Sequence, residues 1–224
     1  KHRPQTFDEV VGQEHITDLL KKAIKADRLT HGFLFCGPSG IGKTYCTRIL
    51  AKSLDYEKGQ TLKPCGKCSA CNEIAKGTSF DVLEIDGASN RGIDEIRELK
   101  ENIRFLPTKC RYKVIIIDEV HMLTDPACNA LLKTLEEPPA HGIFMFATTE
   151  IHKIPVTILS LGQRYELKRV PFHELFTFFK KIAGKEDVSI SDEALEMIAT
   201  EASGSVRDGL SLLDQVFSFG DDTM

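Results

Sequence analysis

Short apolar runs alternate along this chain with apolar stripes at helical spacing. Phe33-Leu34-Phe35-Cys36, Val82-Leu83-Glu84-Ile85, Val114-Ile115-Ile116-Ile117, Ile143-Phe144-Met145-Phe146-Ala147 and Gln163 to Leu167 read as buried strands. Between them the period changes to that of a helix. Leu19, Leu20, Ala23 and Ile24 share a face, as do Ile49, Leu50 and Leu54, and then Ile93, Ile96, Leu99 and Ile103. A further helix over Ala127 to Leu135 is stopped by Pro138-Pro139. This alternation predicts an α/β fold around a five-stranded parallel sheet. From Pro171 the pattern becomes all-helical. Leu175, Phe178, Phe179 and Ile182 make one face; Leu195, Ile198 and Ala199 make a second after a cap at Ser191; Leu210, Leu212, Leu213 and Val216 make a third. The expected division is a sheet domain over 1–168, with a polar, cysteine-bearing insertion at about 55–78, and a small helical domain over 169–224.

Composition narrows the function classes. The 224 residues carry 29 Lys plus Arg against 33 Asp plus Glu, a net charge of −4, so any nucleic-acid contact must come from a local basic patch. No apolar run approaches the roughly 20 residues that span a bilayer, which predicts a cytoplasmic protein with no membrane partner. Seven cysteines, three of them in Cys65-Gly66-Lys67-Cys68-Ser69-Ala70-Cys71, suggest thiols kept for metal or packing.

The first strand runs into Gly37-Pro38-Ser39-Gly40-Ile41-Gly42-Lys43-Thr44 and then a helix, which is the context a P-loop requires. Glycines let the backbone N–H groups turn inward around a phosphate, Lys43 can reach the β- and γ-phosphates, and the Thr44 hydroxyl can ligate magnesium. The third strand ends in Asp118-Glu119, at the carboxyl edge where open α/β sheets bind ligands. Asp118 suits the magnesium, and Glu119 is placed to polarise an attacking water. Thr148-Thr149 closes the fourth strand, where a hydroxyl either sits beside the γ-phosphate or caps the turn. Phe7 to Glu14, with Val10 and Val11, either wraps a base or packs as a plain turn before its helix. Arg207, one turn past Gly204-Ser205, either reads a γ-phosphate or pairs on the surface with Asp208 or Glu201. The turn Asp86 to Gly92, with Arg91, offers a phosphate contact or a solvated cap. Cys65, Cys68 and Cys71 suit tetrahedral zinc provided a fourth ligand exists; Asp55 and Tyr56 lie nearest upstream, Cys46 lies on the P-loop helix, and no His is near.

Together these residues resemble an AAA+ ATPase, and more narrowly the gamma/tau clamp-loader subunits of bacterial DNA polymerase III. The resemblance runs over essentially the whole chain. It rests on Arg3 to Phe7 with Val10 to Glu14, the P-loop, the cysteine cluster, Asp118 to Leu123, Asn129 to Pro139, and Gly204 to Asp208. It implies a motor within the DNA-directed DNA polymerase III holoenzyme. With delta- and delta-prime-type subunits, that motor uses ATP and magnesium to load a sliding clamp onto primed DNA. It assigns Thr149 and Arg207 as sensors of the nucleotide, makes Arg91 a DNA-backbone contact, and implies structural zinc. Two departures follow. The family's Ser-Arg-Cys finger reads Ser160-Leu161-Gly162 here, with Arg164 three residues beyond Leu161; its first zinc ligand is missing, with Tyr56 near the expected position and Asp55 or water as candidate replacement. The chain is also expected to stop before the oligomerising collar. A non-hydrolysing ATP-bound assembly module and another AAA+ DNA-remodelling ATPase are the alternative readings.

Overall fold

The computed structural model describes residues 2–220, apart from the side chains at 161, 219 and 220. Five parallel strands, β1 (Gly32–Cys36), β2 (Val82–Asp86), β3 (Lys113–Asp118), β4 (Gly142–Thr148) and β5 (Gln163–Glu166), pair in the order β2-β3-β4-β1-β5. β1, β3 and β4 lie inside the sheet and are almost continuously apolar, because both of their faces are covered. The register sets Ile117 beside Phe146 and Cys36 beside Thr148, so the carboxyl ends of these strands form one ledge.

Side-chain alternation divides the core in two. Phe33, Phe35, Val114, Ile116 and Met145 face α1 (Glu14–Lys25) and α2 (Lys43–Leu54). Leu34, Ile115, Ile117, Phe144 and Phe146 face α4 (Ile93–Arg104), α5 (Asp125–Glu136) and α6 (Val156–Leu161). The short α3 (Ser69–Lys76) sits in the insertion and docks through Ile74. A third core joins α7 (Phe172–Lys185), α8 (Asp192–Glu201) and α9 (Val206–Gly220) around Leu175, Phe179, Leu195 and Leu213. Ser191 caps α8 by accepting from the Ala194 N–H at 3.2 Å.

Two stripe assignments need correction. In α1 the buried face is Ile16, Thr17, Leu20 and Ile24, while Leu19 is 52 % exposed. In α9, Leu213 is buried but Val216 is 40 % exposed. Both residues sit at the margin of an apolar stripe, where helical spacing alone does not say which edge meets the core. Among the described residues no helix is long and apolar enough to cross a membrane.

Candidate functional site

The turn from β1 into α2 closes over the Lys43 ammonium through its own carbonyls. Gly37 and Gly40 have φ of +143° and +76°, a region costly for any side chain. A Cβ on Gly37 would strike the Leu167 carbonyl oxygen, and one on Gly40 would strike the Ser205 hydroxyl. The loop is therefore pinched between the end of β5 and the start of α9. Lys43, 6 % exposed, donates from Nζ to the carbonyls of Gly37 at 2.9 Å and Pro38 at 2.8 Å. Burial pushes its pKa down, against the opposing pull of Glu119 and Asp118. The Thr44 hydroxyl donates to Asp118 Oδ2 at 2.6 Å, which joins the helix start to the end of β3.

Glu119 is turned toward β4. It adopts a left-handed backbone, φ +47°, and its Oε2 accepts from the Thr149 N–H at 3.2 Å and the Thr149 hydroxyl at 3.0 Å. His121 Nδ1 lies 3.3 Å from the same oxygen and 2.9 Å from Thr148 Oγ1. His121 completes a carboxylate, imidazole and hydroxyl group with Glu119 and Thr148; sequence reasoning placed Thr148 at the strand end but gave His121 no role. The signal available was the short step from Glu119 to His121 on a turn that must fold back on the sheet.

Above the loop lies a cavity of about 570 Å³. Its floor is Ser39 to Thr44 with Asp118 and Glu119, one wall is Val10, Val11 and Pro4, and the opposite wall is Arg207, Leu210 and Phe178. Arg207 Nη2 donates to Ser39 Oγ at 2.8 Å, and its N–H donates to the Gly40 carbonyl at 3.1 Å. The guanidinium also lies 3.7 Å from Asp208, so the surface pairing and the cavity contact coexist. Arg48, which sequence reasoning passed over, lines the cavity and makes a bidentate pair with Glu84 at 2.7 and 2.6 Å. The volume, the helix N-terminus at its floor and the apolar wall suit a phosphate chain carrying a flat base.

Arg91 does not join this cavity. It lies on the loop before α4, exposed, with Nε donating to the Met122 carbonyl at 3.2 Å. Arg164 is on edge strand β5 beside Glu166, and the Leu161 side chain lies outside the described atoms.

The second constellation is on the insertion. The sulfurs of Cys65, Cys68 and Cys71 lie within 4.8 Å of one another. The N–H groups of Lys67 and Cys68 donate to Cys65 Sγ at 3.4 and 3.2 Å and bring that thiol down to about 7. Sulfurs about 2.3 Å from one ion would sit roughly 3.8 Å apart, a small contraction from here, so the group fits zinc. Cys46 is buried in the core, away from the cluster, with its thiol pushed up to about 12 by burial. Asp55, a candidate fourth ligand from the sequence, is corrected: its carboxylate faces inward and accepts from the Tyr112 N–H at 2.8 Å.

Comparison with known proteins identifies the family and the fold. A family model described as DNA polymerase III, delta subunit, matches residues 12–171, and one described as DNA polymerase III clamp loader subunit, ATPase lid domain, matches 176–222. DNA polymerase III subunit tau of Bacillus subtilis is 50 % identical over 222 residues, spanning 99 % of this chain and 39 % of the relative. Subunit tau of Escherichia coli is 45 % identical, spanning 99 % and 34 %, and subunit gamma of Buchnera aphidicola from Acyrthosiphon pisum is 44 % identical, spanning 98 % and 61 %. This chain thus spans less than two thirds of the length of these relatives. Among solved structures, the Thermotoga maritima RuvB Holliday junction branch migration motor superposes with a TM-score of 0.71 at 24 % identity, covering 96 % of this chain and 65 % of that one, which is likeness of fold.

Proposed function

Because the chain belongs to the DNA polymerase III clamp-loader subunits, we propose that it is an ATP-binding and ATP-hydrolysing motor subunit. In this reading it helps place a sliding clamp on primed DNA. The observation that carries this is the convergence of Lys43, Asp118, Glu119 and Arg207 on one cavity at the start of α2. In this reading residues 1–168 are the ATPase domain and 169–224 the lid.

Gly37 to Thr44 would hold the phosphates with backbone N–H groups, with Lys43 leaving its two loop carbonyls to reach the β- and γ-oxygens. Val10 and Val11 would pack on the adenine. Thr44 and Asp118 would hold magnesium, which when bound neutralises charge on the phosphates. Glu119 would orient the attacking water and take its proton; Thr149 and His121 keep its carboxylate from swinging free. Arg207 would donate to the γ-phosphate, and because its N–H is bonded to Gly40 the lid would close with it. Cys65, Cys68 and Cys71 would hold structural zinc. Delta- and delta-prime-type subunits, the clamp and DNA would be the partners in a cytoplasmic hetero-oligomer, with Arg91 against a DNA phosphate. Leu161 gives the neighbouring site no cation, so a site completed by this chain would turn over slowly, because such a finger contributes about 10³ to 10⁵ in rate; this chain's own site would take its finger from another subunit.

The test is ATP turnover by the chain alone and then with loader partners, clamp and primed DNA. Stimulation that Glu119→Gln removes while leaving ATP binding intact supports the motor. Tight ATP binding without stimulated turnover in every mixture overturns it in favour of a nucleotide-held assembly module.

A further inference from the structure

We infer that His2 and Glu186 form a latch that closes the segment before Phe7 over a bound nucleotide and sets how fast that nucleotide leaves. This rests on the reading of the cavity as an ATP site and concerns how the site keeps its ligand.

His2, Arg3 and Pro4 line the cavity from the sheet domain, and Ile182, Glu186 and Phe217 line it from the lid. Residues 2–5 form neither helix nor strand, yet they are held in place. Pro4 fixes its own φ and keeps Arg3 out of the helical region, so the segment loses little freedom on being laid down. Gln5 anchors it at three points. Its Nε2 donates to the Arg3 carbonyl at 3.1 Å, its Oε1 accepts from Lys52 Nζ at 2.6 Å, and its N–H donates to Glu9 Oε2 at 2.7 Å. Lys52 is 3 % exposed on the last turn of α2, and Phe7 is buried in the core under the sheet. This end of the segment therefore moves with the sheet domain.

The other end crosses to the lid. His2 Nε2 lies 2.9 Å from Glu186 Oε1, with 22 % and 21 % of the two side chains exposed. Glu186 closes α7, where its N–H donates to the carbonyls of Ile182 at 3.1 Å and Ala183 at 3.2 Å. A carboxylate at that end of a helix opposes the helix dipole, so it gains from a polar partner brought from elsewhere, and the imidazole is that partner. A base against Val10 and Val11 is then enclosed between segment and lid, and it leaves when the two part. The Arg207 contacts with Ser39 and Gly40 lie on the loop, where a γ-phosphate would take their place. The latch touches no part of the loop, so it acts on ADP as it does on ATP.

The experiment follows the dissociation of fluorescent ADP and ATP analogues from the protein by stopped flow, chased with unlabelled nucleotide. His2→Ala and Glu186→Ala should each raise the dissociation rate by about threefold for both nucleotides, with association changed by less than about twofold. The two together should do no more than the larger single effect, because they break one contact. His2→Lys, which keeps a cation at that place, should release no faster than wild type. Gln5→Ala should speed release through the loosened anchor, although Gln5 does not line the cavity. Unchanged dissociation in both single variants, effects that add in the double variant, or a His2→Lys protein as fast as His2→Ala each overturn the latch and leave the ATP site standing. No nucleotide binding by the wild-type protein overturns the ATP reading itself, and the latch with it.

Discussion

The ledge that carries Lys43 and Asp118 differs in kind from the cysteine insertion beside it. At the ledge the functional side chains leave the ends of strands packed on both faces or the helix and turns that follow them, and hydrogen bonds tie these segments together: Thr44 to Asp118, Thr149 to Glu119, Thr148 to His121. In the insertion, Cys65 is exposed, α3 docks largely through Ile74, and local bonds from Lys67 and Cys68 organise the sulfurs. The first region is placed by tertiary packing and can present groups in advance of a ligand. The second buries too little apolar surface to be placed that way, and an ion would supply the missing cohesion.

The sharpest break of that comparison is Lys43→Ala. It should weaken ATP binding by more than about 100-fold, measured by fluorescent-nucleotide titration, while removal of zinc with a zinc-selective chelator in excess magnesium leaves that affinity within about twofold, as for independent sites. Loss of ATP affinity on zinc removal with magnesium still in excess would mean that the two regions are one.

Next is Asp81, 2 % exposed, which ties the loop after α4 to the sheet. Burial raises its pKa most, but N–H groups of Thr108, Lys109 and Cys110 together with Lys113 outweigh it, and the net shift is downward. A carboxyl lowered in the folded state contributes stability above its ordinary range near 3.8, and that contribution is lost as pH falls through the lowered value. Asp81→Ala should cost about 2–4 kcal/mol at neutral pH and flatten the acid side of the melting-temperature profile. Gly40→Ala should follow, loosening ATP binding by about tenfold as the lid is pushed off by its Cβ. Chelation should then raise hydrogen exchange over residues 56–76 with little change in β1 and β3. The smallest effect is Ser191→Ala, about 1 kcal/mol from a lost helix cap, confined to the lid.

What was legible in the chain follows the same divide. The strands could be read because β1, β3 and β4 are covered on both faces and so must be apolar throughout. The loop at 37–44 and the pair Asp118-Glu119 could be read because phosphate chemistry ties glycine, lysine and carboxylate to fixed places relative to a strand end. Leu19 and Val216 were misplaced because helical spacing defines a stripe and not its margins. The Arg48–Glu84 pair and the grip of Thr149 on Glu119 depend on which strands are neighbours, which composition and period do not encode. In the insertion, spacing announced three ligands, but the inward turn of Asp55 onto the Tyr112 N–H joins segments far apart in the sequence.

Gln13 has a part that becomes visible only across the length of the molecule. It is wholly buried; its Nε2 donates to the Lys168 carbonyl at 2.6 Å, and its Oε1 accepts from the Lys168 N–H at 3.1 Å. One amide thus clasps both sides of a single residue at the start of the link to the lid, and a few residues on Val170 donates to the Gly204 carbonyl at 3.0 Å. The link is pinned at two points like a door on two hinges, so the helical unit has an axis about which to swing and little freedom to drift. Beside the Arg207 contacts with Ser39 and Gly40, this clasp gives the helical unit a further route into the sheet domain, through Lys168 to Gln13 and the adjoining Val10-Val11 wall of the cavity.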